Sequence, residues 1–280
     1  MRRLHPAIGI SAIATLALLY APLLAVAVLS VNAARFGTTW KGFTLKWYAG
    51  LLRNADILAA GRNTLILAAV STALATVLGT LLALGLARVP WPRWTRRLLD
   101  LLLYLPVVTP DILFAGALVV AFRLLREVWA AFNPGLLTMI IGHVTFQIAF
   151  VALVVGSRLA SLGRDLEEAA RDLYATPFYL FRRVTLPLLA PGILAGAMMA
   201  FILSLDDFVI SFFTAGPDSM TLPLYIYASV RRGVSPEIHA LSTLIVLVTV
   251  ILVLGLETVT RLLVPTLPRG DEEPTAPRSR

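Results

Sequence analysis

Apolar residues run almost unbroken through six stretches of the chain, at about 8–31, 63–87, 98–121, 135–157, 192–214 and 238–263. Each is long enough for a helix to cross a hydrocarbon core of roughly 30 Å, which takes about 20 residues. Inside lipid a backbone must satisfy its own hydrogen bonds, and a continuous apolar run does so as an α-helix. The pattern predicts an all-α, polytopic membrane protein whose six transmembrane helices form one domain, residues 1–264. The tail, 265–280, is rich in Pro, Glu and Arg and is expected to be disordered.

Two polar stretches are too long to be plain connectors. The segment 32–62 carries Trp40, Phe43, Trp47 and Tyr48 among Lys41, Lys46 and Arg53, a composition suited to lying at a membrane surface on aromatic anchors. In the loop 158–191, Leu162, Leu166, Ala169, Ala170 and Leu173 recur at helical spacing, with Arg164, Asp165, Glu167, Glu168, Arg171 and Asp172 on the other face. This predicts an amphipathic surface helix, with Asp165 and Glu168 as a capping box and Glu167 paired to Arg171. After a break at Tyr174-Ala175-Thr176-Pro177, Thr176 is placed to cap and Pro177 to open a second short helix that runs toward Leu186-Pro187.

Composition agrees with burial in lipid: 58% of residues are hydrophobic, 14% are charged, and mean hydropathy is +0.83. The net charge of +8 does not point to nucleic acid, because the basic residues sit at the ends of apolar runs rather than in one stripe. They report topology instead. Six spans put both termini on one side, and placing that side in the cytoplasm gives it most of the 24 Lys and Arg residues. Arg88, Arg93, Arg96 and Arg97 in one short loop are the clearest part of that bias. The small-residue pattern Ala25-Val26-Ala27 could serve a signal peptidase, but the run from Ile8 to Val31 is long enough to span. With no cysteine, disulfides and thiolate metal sites are excluded, and His5, His143 and His239 are too far apart for a short metal motif. None of the three needs more than a packing role.

The sequence Glu168-Ala169-Ala170, three residues, Tyr174, nine residues, then Val184-Thr185-Leu186-Pro187 resembles the EAA loop of ATP-binding-cassette (ABC) importer permeases. The resemblance implies that this helix pair docks into a groove of a cytoplasmic ATPase, with Glu168, Ala169, Ala170, Tyr174, Leu186 and Pro187 as coupling residues. The family has Gly where Tyr174 stands, so the turn here either differs in shape or carries strain. A second set of segments resembles the PotC-type permeases of spermidine/putrescine importers. These are Leu105-Pro-Val-Val-Thr-Pro-Asp-Ile112, Ser204 to Pro217, Thr221 to Tyr227 and Gly233 to Thr243. That likeness covers most of the chain from the third span onward.

It implies a type I ABC importer permease fold in a bacterial inner membrane. The implied partners are a PotB-like second permease subunit, a cytoplasmic ATPase dimer and a periplasmic or extracellular substrate-binding protein. No cofactor is expected in this chain, with ATP and Mg held by the ATPase. A G-x-x-x-x-G-K-[ST] loop is absent, so energy must come from a partner and the chain is not itself an enzyme.

Three acids lie within apolar runs, where an aspartate costs about 2.5–3.5 kcal/mol near a helix centre. On straight helices rising 1.5 Å per residue, Asp111 and Asp206 both stand roughly 20 Å from the inner face, level with each other. Asp111, Asp206 and Asp207, with Ser204 at the head of its stretch, form a candidate pathway for a polyamine, and Trp47 is a candidate cation–π contact at the outer mouth. Other readings stand beside this one. Asp111 follows Thr109-Pro110 and could serve a helix restart, and Asp206 and Asp207 are about 100° apart on a helix, so one could contact the partner permease. At the level of function, the alternatives are another small cargo, a stand-alone channel, or an intramembrane hydrolase. The last lacks both a Gly-x-Ser-x-Gly elbow and an H-E-x-x-H helix.

Overall fold

The structure is a computed structural model and describes residues 6–35, 39–163, 165–233 and 235–263. Helix α1 (Pro6–Ser30) is followed by the short α2 (Lys46–Leu51) and the long α3 (Ala55–Arg88). The second span thus begins at Ala55 rather than near 63. Asn54 accounts for the early start, because its side chain accepts the N–H groups of Asp56 and Ile57 as an N-cap. With 34 residues, α3 is about 51 Å long and outruns the apolar layer.

The third span is not straight. It consists of α4 (Arg93–Val108) and α5 (Asp111–Arg126), bent by 112° at the break. Pro110 has no N–H to donate and forces Thr109 out of helical conformation, to φ −73° and ψ 131°. The break falls at Thr109–Pro110, immediately before Asp111, which therefore opens the second arm of the bent span.

Helix α6 (Leu136–Ser161) is the continuous fourth span. The inner loop then holds α7 (Asp165–Asp172), whose leading residue 164 lies outside the described residues, as does the tail 264–280. Thr176 caps α8 (Pro177–Leu180) as expected, accepting from the Tyr179 N–H at 3.4 Å. This helix does not end at Pro187. It continues through a π-helical turn, Phe181–Thr185, into α9 (Leu186–Leu205). In an α-helical ladder the proline ring collides with the carbonyl four residues back. The wider turn, closed by the Leu186 N–H on the Phe181 carbonyl, relieves that clash.

The fifth span also breaks, at 206–208, before α10 (Val209–Thr214). Helix α11 (Leu222–Arg232), in a segment for which no element was expected, precedes α12 (Pro236–Leu263). Among the described residues five helices are long and apolar enough to cross a membrane, or six spans are present if the bent α4–α5 pair counts as one.

Helix α6 lies at the centre, between α3 and α9. Ala75, Ala83 and Leu86 pack with Val151, Ala152 and Val155 and with Leu189 and Ala200. Lipid gives helices no hydrophobic reason to associate, so close approach of backbones through small residues matters more. At Gly79 a Cβ would stand 2.7 Å from that of Val151. A second cluster, Leu51, Ile57, Ala240 and Leu241, joins α2, α3 and α12, with α1 resting along α12. A third, Phe114, Ala115 and Ile210, packs the first turns of α5 and α10 together.

The two ends of the bundle are tied differently. At one, Asn63 donates to the carbonyls of Asp218 and Met220, and the Gly135 N–H to that of Thr214. At the other, the ends of α3 and α6 meet the loop that contains α7.

Candidate translocation and coupling sites

The break in α9–α10 organises a buried polar network. Asp207 Oδ1 accepts the Ile210 N–H at 3.2 Å and Oδ2 accepts the Ser211 N–H at 2.8 Å, so its carboxylate caps the first turn of α10. His143 Nε2, from α6, lies 3.2 Å from Asp207 Oδ2 and 3.1 Å from Ser211 Oγ. Its Nδ1 is 2.8 Å from Ser204 Oγ, which in turn is 3.2 Å from Ser71 Oγ on α3. One imidazole therefore bridges the end of α9 and the start of α10.

Serine, histidine and aspartate in this order have the composition of a hydrolytic triad, but not its access. Ser204 and His143 are each 2% exposed, and Ser204 Oγ is held between His143 and Ser71. An ester or amide cannot reach it. The arrangement is structural, and it removes the one observation that could have favoured a hydrolase.

The predicted pathway residues thus separate. Ser204 and Asp207 belong to the network; Asp206 stands exposed at the end of α9, in the break rather than on a helix face 100° from its neighbour. Asp111 opens α5 and is exposed, as the helix-restart reading requires. An acid in the first turn of a helix is also favoured by the dipole. The packing of Phe114 and Ala115 on Ile210 brings the two broken spans together. Trp47 is held elsewhere: its Nε1 donates to the Asn32 carbonyl at 2.9 Å, and Lys46 Nζ covers its ring at 4.3 Å.

The sequence alone gives His143 no more than a packing role. Its signal was nonetheless present, because an ionisable residue inside an apolar run, followed one turn later by Gln147, is expensive in lipid whatever its sign. Gln147 is also buried and donates to the Ala200 carbonyl at 3.1 Å.

At the opposite end, α7 lies against the end of α3. Glu167 does not pair with Arg171. Its Oε1 meets Arg88 Nη2 at 2.6 Å and accepts from Thr185 Oγ1 at 3.2 Å, so one carboxylate ties α7 to α3 and to the π-helical turn. Tertiary geometry overrode the local i,i+4 choice, since a charge-assisted bond at a half-buried site outweighs an exposed helix pair. Beside it is a cavity of about 370 Å³, lined by Arg88, Glu167, Glu168, Arg171, Pro177 and Phe181 among others.

Helix α7 ends in a Schellman turn: the Ala175 N–H donates to the Ala170 carbonyl and the Tyr174 N–H to that of Arg171. Such a turn needs a left-handed residue, and Tyr174 takes it at φ +60°. The glycine geometry is kept, with strain. Tyr174 is 95% exposed, and Leu173, Phe178 and Tyr179 are exposed beside it. Glu168, Ala169, Leu186 and Pro187 are exposed too, while Ala170 is half-buried. An apolar, unpartnered surface of this kind is what a docking site offers.

The sequence profile of the family described as "Binding-protein-dependent transport system inner membrane component" matches residues 75–268. The chain is 42% identical over 229 residues to the putrescine transport system permease protein PotI of Escherichia coli (strain K12), covering 81% of each protein. It is 37% identical over 245 residues to the spermidine/putrescine transport system permease protein PotC of the same organism, covering 88% of this chain and 90% of the relative. In fold it is similar to a chain of a bacterial alginate ABC transporter solved with an alginate-bound periplasmic protein. The TM-score is 0.74 at 20% identity, over 93% of this chain and 94% of the other.

Proposed function

The chain belongs to the family of binding-protein-dependent transport system inner membrane components, and from that premise we propose that it passes the polyamines putrescine and spermidine into the cytoplasm. It is a permease subunit of an ABC importer, multi-pass in the inner membrane, in a fold that carries no nucleotide-hydrolysing domain of its own. The observation that carries the cargo assignment is the similarity to putrescine and spermidine/putrescine permeases over more than four-fifths of the chain. The exposed carboxylates at the two helix breaks support it, because a flexible polycation can be handed along acids that a neutral cargo would find useless. Fold similarity adds nothing to the choice, since the structural neighbour belongs to a transporter of alginate.

The α7–α8 surface is read as the ATPase docking site, with Glu168, Ala169, Ala170, Tyr174, Leu186 and Pro187 at or beside the contact, and its end of the bundle as cytoplasmic. A second permease subunit, an ATPase dimer and an external binding protein complete the machine. The test is uptake of labelled putrescine, spermidine and a neutral sugar by vesicles holding the assembled complex and its binding protein. ATP-dependent uptake of a polyamine and not of the sugar is expected. Uptake without ATP would favour a channel, and ATP-driven uptake of the sugar alone would overturn the cargo assignment. Glu168→Lys is expected to abolish ATP-driven uptake with the chain still inserted; unchanged uptake would remove the coupling role.

A further inference from the structure

We propose that the cavity where α3, α4 and α6 meet binds an anionic phospholipid, its phosphate held at the arginine-rich start of α4 and an acyl chain laid along the groove beneath. The inference rests on the protein's place in a membrane and not on its cargo.

The cavity measures about 510 Å³ and opens to the outside. Its lining changes character in the same direction on all three helices. Helix α3 contributes Arg88 at its end and Ala83 deeper in, and α4 contributes Arg96 and Asp100 near its start and Leu103 further along. On α6 the wall runs from Gly163, just past the helix end, back to Leu153 and Ala152. Between Arg96 and Leu103, about 10 Å along α4, the groove thus passes from charged to apolar. A pocket for a soluble anion would stay polar to its floor. A charged head joined to a hydrocarbon chain needs this gradient.

The charge is unbalanced in favour of an anion. From residue 88 to residue 100 there are four arginines and one acid, Asp100. Two of the four are satisfied: Arg88 by Glu167, and Arg96 by Asp100 at 3.1 Å and by the Leu86 carbonyl. Those bonds fix Arg96 at the rim. Arg93 and Arg97 flank it, one helical turn apart on one face; both are exposed, and neither pairs with an acid among the described residues. Two guanidinium groups so spaced can share one phosphate. Trp91 and Trp94 are exposed beside them, with Trp91 Nε1 donating to the Gly85 carbonyl at 3.0 Å. Aromatic rings of this kind sit at headgroup depth.

Small residues leave the space for the acyl chain. Gly156, Ala87, Ala152 and Ala160 all line the cavity, and a Cβ at Gly156 would meet nothing within 4 Å. Of α4, only Leu99 and Leu103 join the central cluster among the described residues, so the groove stands open between α4 and α6. An acyl chain in it closes that gap.

The experiment is native mass spectrometry of the assembled importer in detergent, titrated with phosphatidylglycerol, with phosphatidylcholine of the same acyl chains, and with inorganic phosphate. The parent is expected to bind phosphatidylglycerol about tenfold or more tighter than phosphatidylcholine, without displacement by phosphate. Arg93→Gln with Arg97→Gln should erase that preference, at about fivefold per arginine, and leave phosphatidylcholine binding unchanged. Gly156→Leu should weaken both lipids about tenfold, because it fills the space of the acyl chain and leaves the arginines alone. Its unfolding midpoint without added lipid should match the parent's, since the new side chain points into the cavity. Were that midpoint lowered, the arginine pair decides by itself.

Equal affinity of the parent for the two lipids, a preference that survives loss of both arginines, or lipid binding indifferent to a folded Gly156→Leu would each overturn the site. Displacement by phosphate would make it a site for a soluble anion. Binding to the separate subunit but not to the importer would make it a surface that another subunit covers. Either result overturns the lipid.

Discussion

Among single residues, Tyr174 shows most directly how a local cost can mark a contact surface. Its φ of +60° is the only positive value at a non-glycine residue among those described, and its ring is almost wholly exposed. The left-handed conformation costs an ordinary residue roughly 1–2 kcal/mol, a cost that glycine avoids. The Schellman hydrogen bonds hold the turn against that strain, and on the docking reading the ring that strain presents meets the ATPase. Two substitutions separate backbone from ring. Tyr174→Val places a β-branched residue where φ > 0 is least tolerated and is expected to lose amide-exchange protection at Ala175, whose N–H closes the turn on Ala170. Tyr174→Gly is expected to keep that protection while weakening ATP-driven uptake. Full uptake with glycine would leave the ring without a role.

Between elements, the tie from Arg88 to Glu167 carries the most consequence, because it is the one described ion pair that joins the α7 loop to a long span. The side chains are 25% and 13% exposed, so solvent screens the pair only in part. Arg88→Ala is expected to destabilise the loop by about 1–2 kcal/mol, less than a fully buried pair would cost. Hydrogen exchange across α7 would read that loss directly, and Arg88→Glu combined with Glu167→Arg should recover part of it. At the centre of the bundle, Gly79→Val would set a branched side chain against Val151 and the Ile148 carbonyl, 3.0 Å from a Cβ at residue 79. An overpacking loss of about 1–3 kcal/mol is expected, seen as a lower unfolding midpoint.

The spans themselves were legible from apolar length, since lipid leaves a backbone few alternatives. Their breaks were not, because Thr109-Pro110 and 206–208 lie inside runs that hydropathy averages as continuous. Pro110 is the one visible sign of the first break, since it has no N–H to donate. The His143 network was harder to see, because it joins residues 71, 143, 204, 207 and 211, which the chain keeps far apart until α3, α6 and α9 pack.

For the molecule as a whole, the decisive feature is that a chain so apolar leaves acids exposed at the breaks in its third and fifth spans. An aspartate facing hydrocarbon costs about 2.5–3.5 kcal/mol on insertion scales, and Asp111 and Asp206 are both exposed in the isolated chain. A second permease subunit that closed a hydrated path over these breaks would remove most of that cost. The subunit's stability would then depend on its partner by mass action. The two requirements oppose each other at Asp206. Asp206→Leu is expected to raise the steady-state amount of this chain when it is produced alone, because the cost of a charge facing hydrocarbon disappears, and to depress polyamine uptake in the assembled importer, because an acid of the proposed path disappears with it. Measuring membrane abundance with and without the partner subunit, alongside uptake, tests both signs together. If Asp206→Leu left the lone chain no more abundant, the acid would already be hydrated without a partner, and a second subunit would not be needed to shelter it.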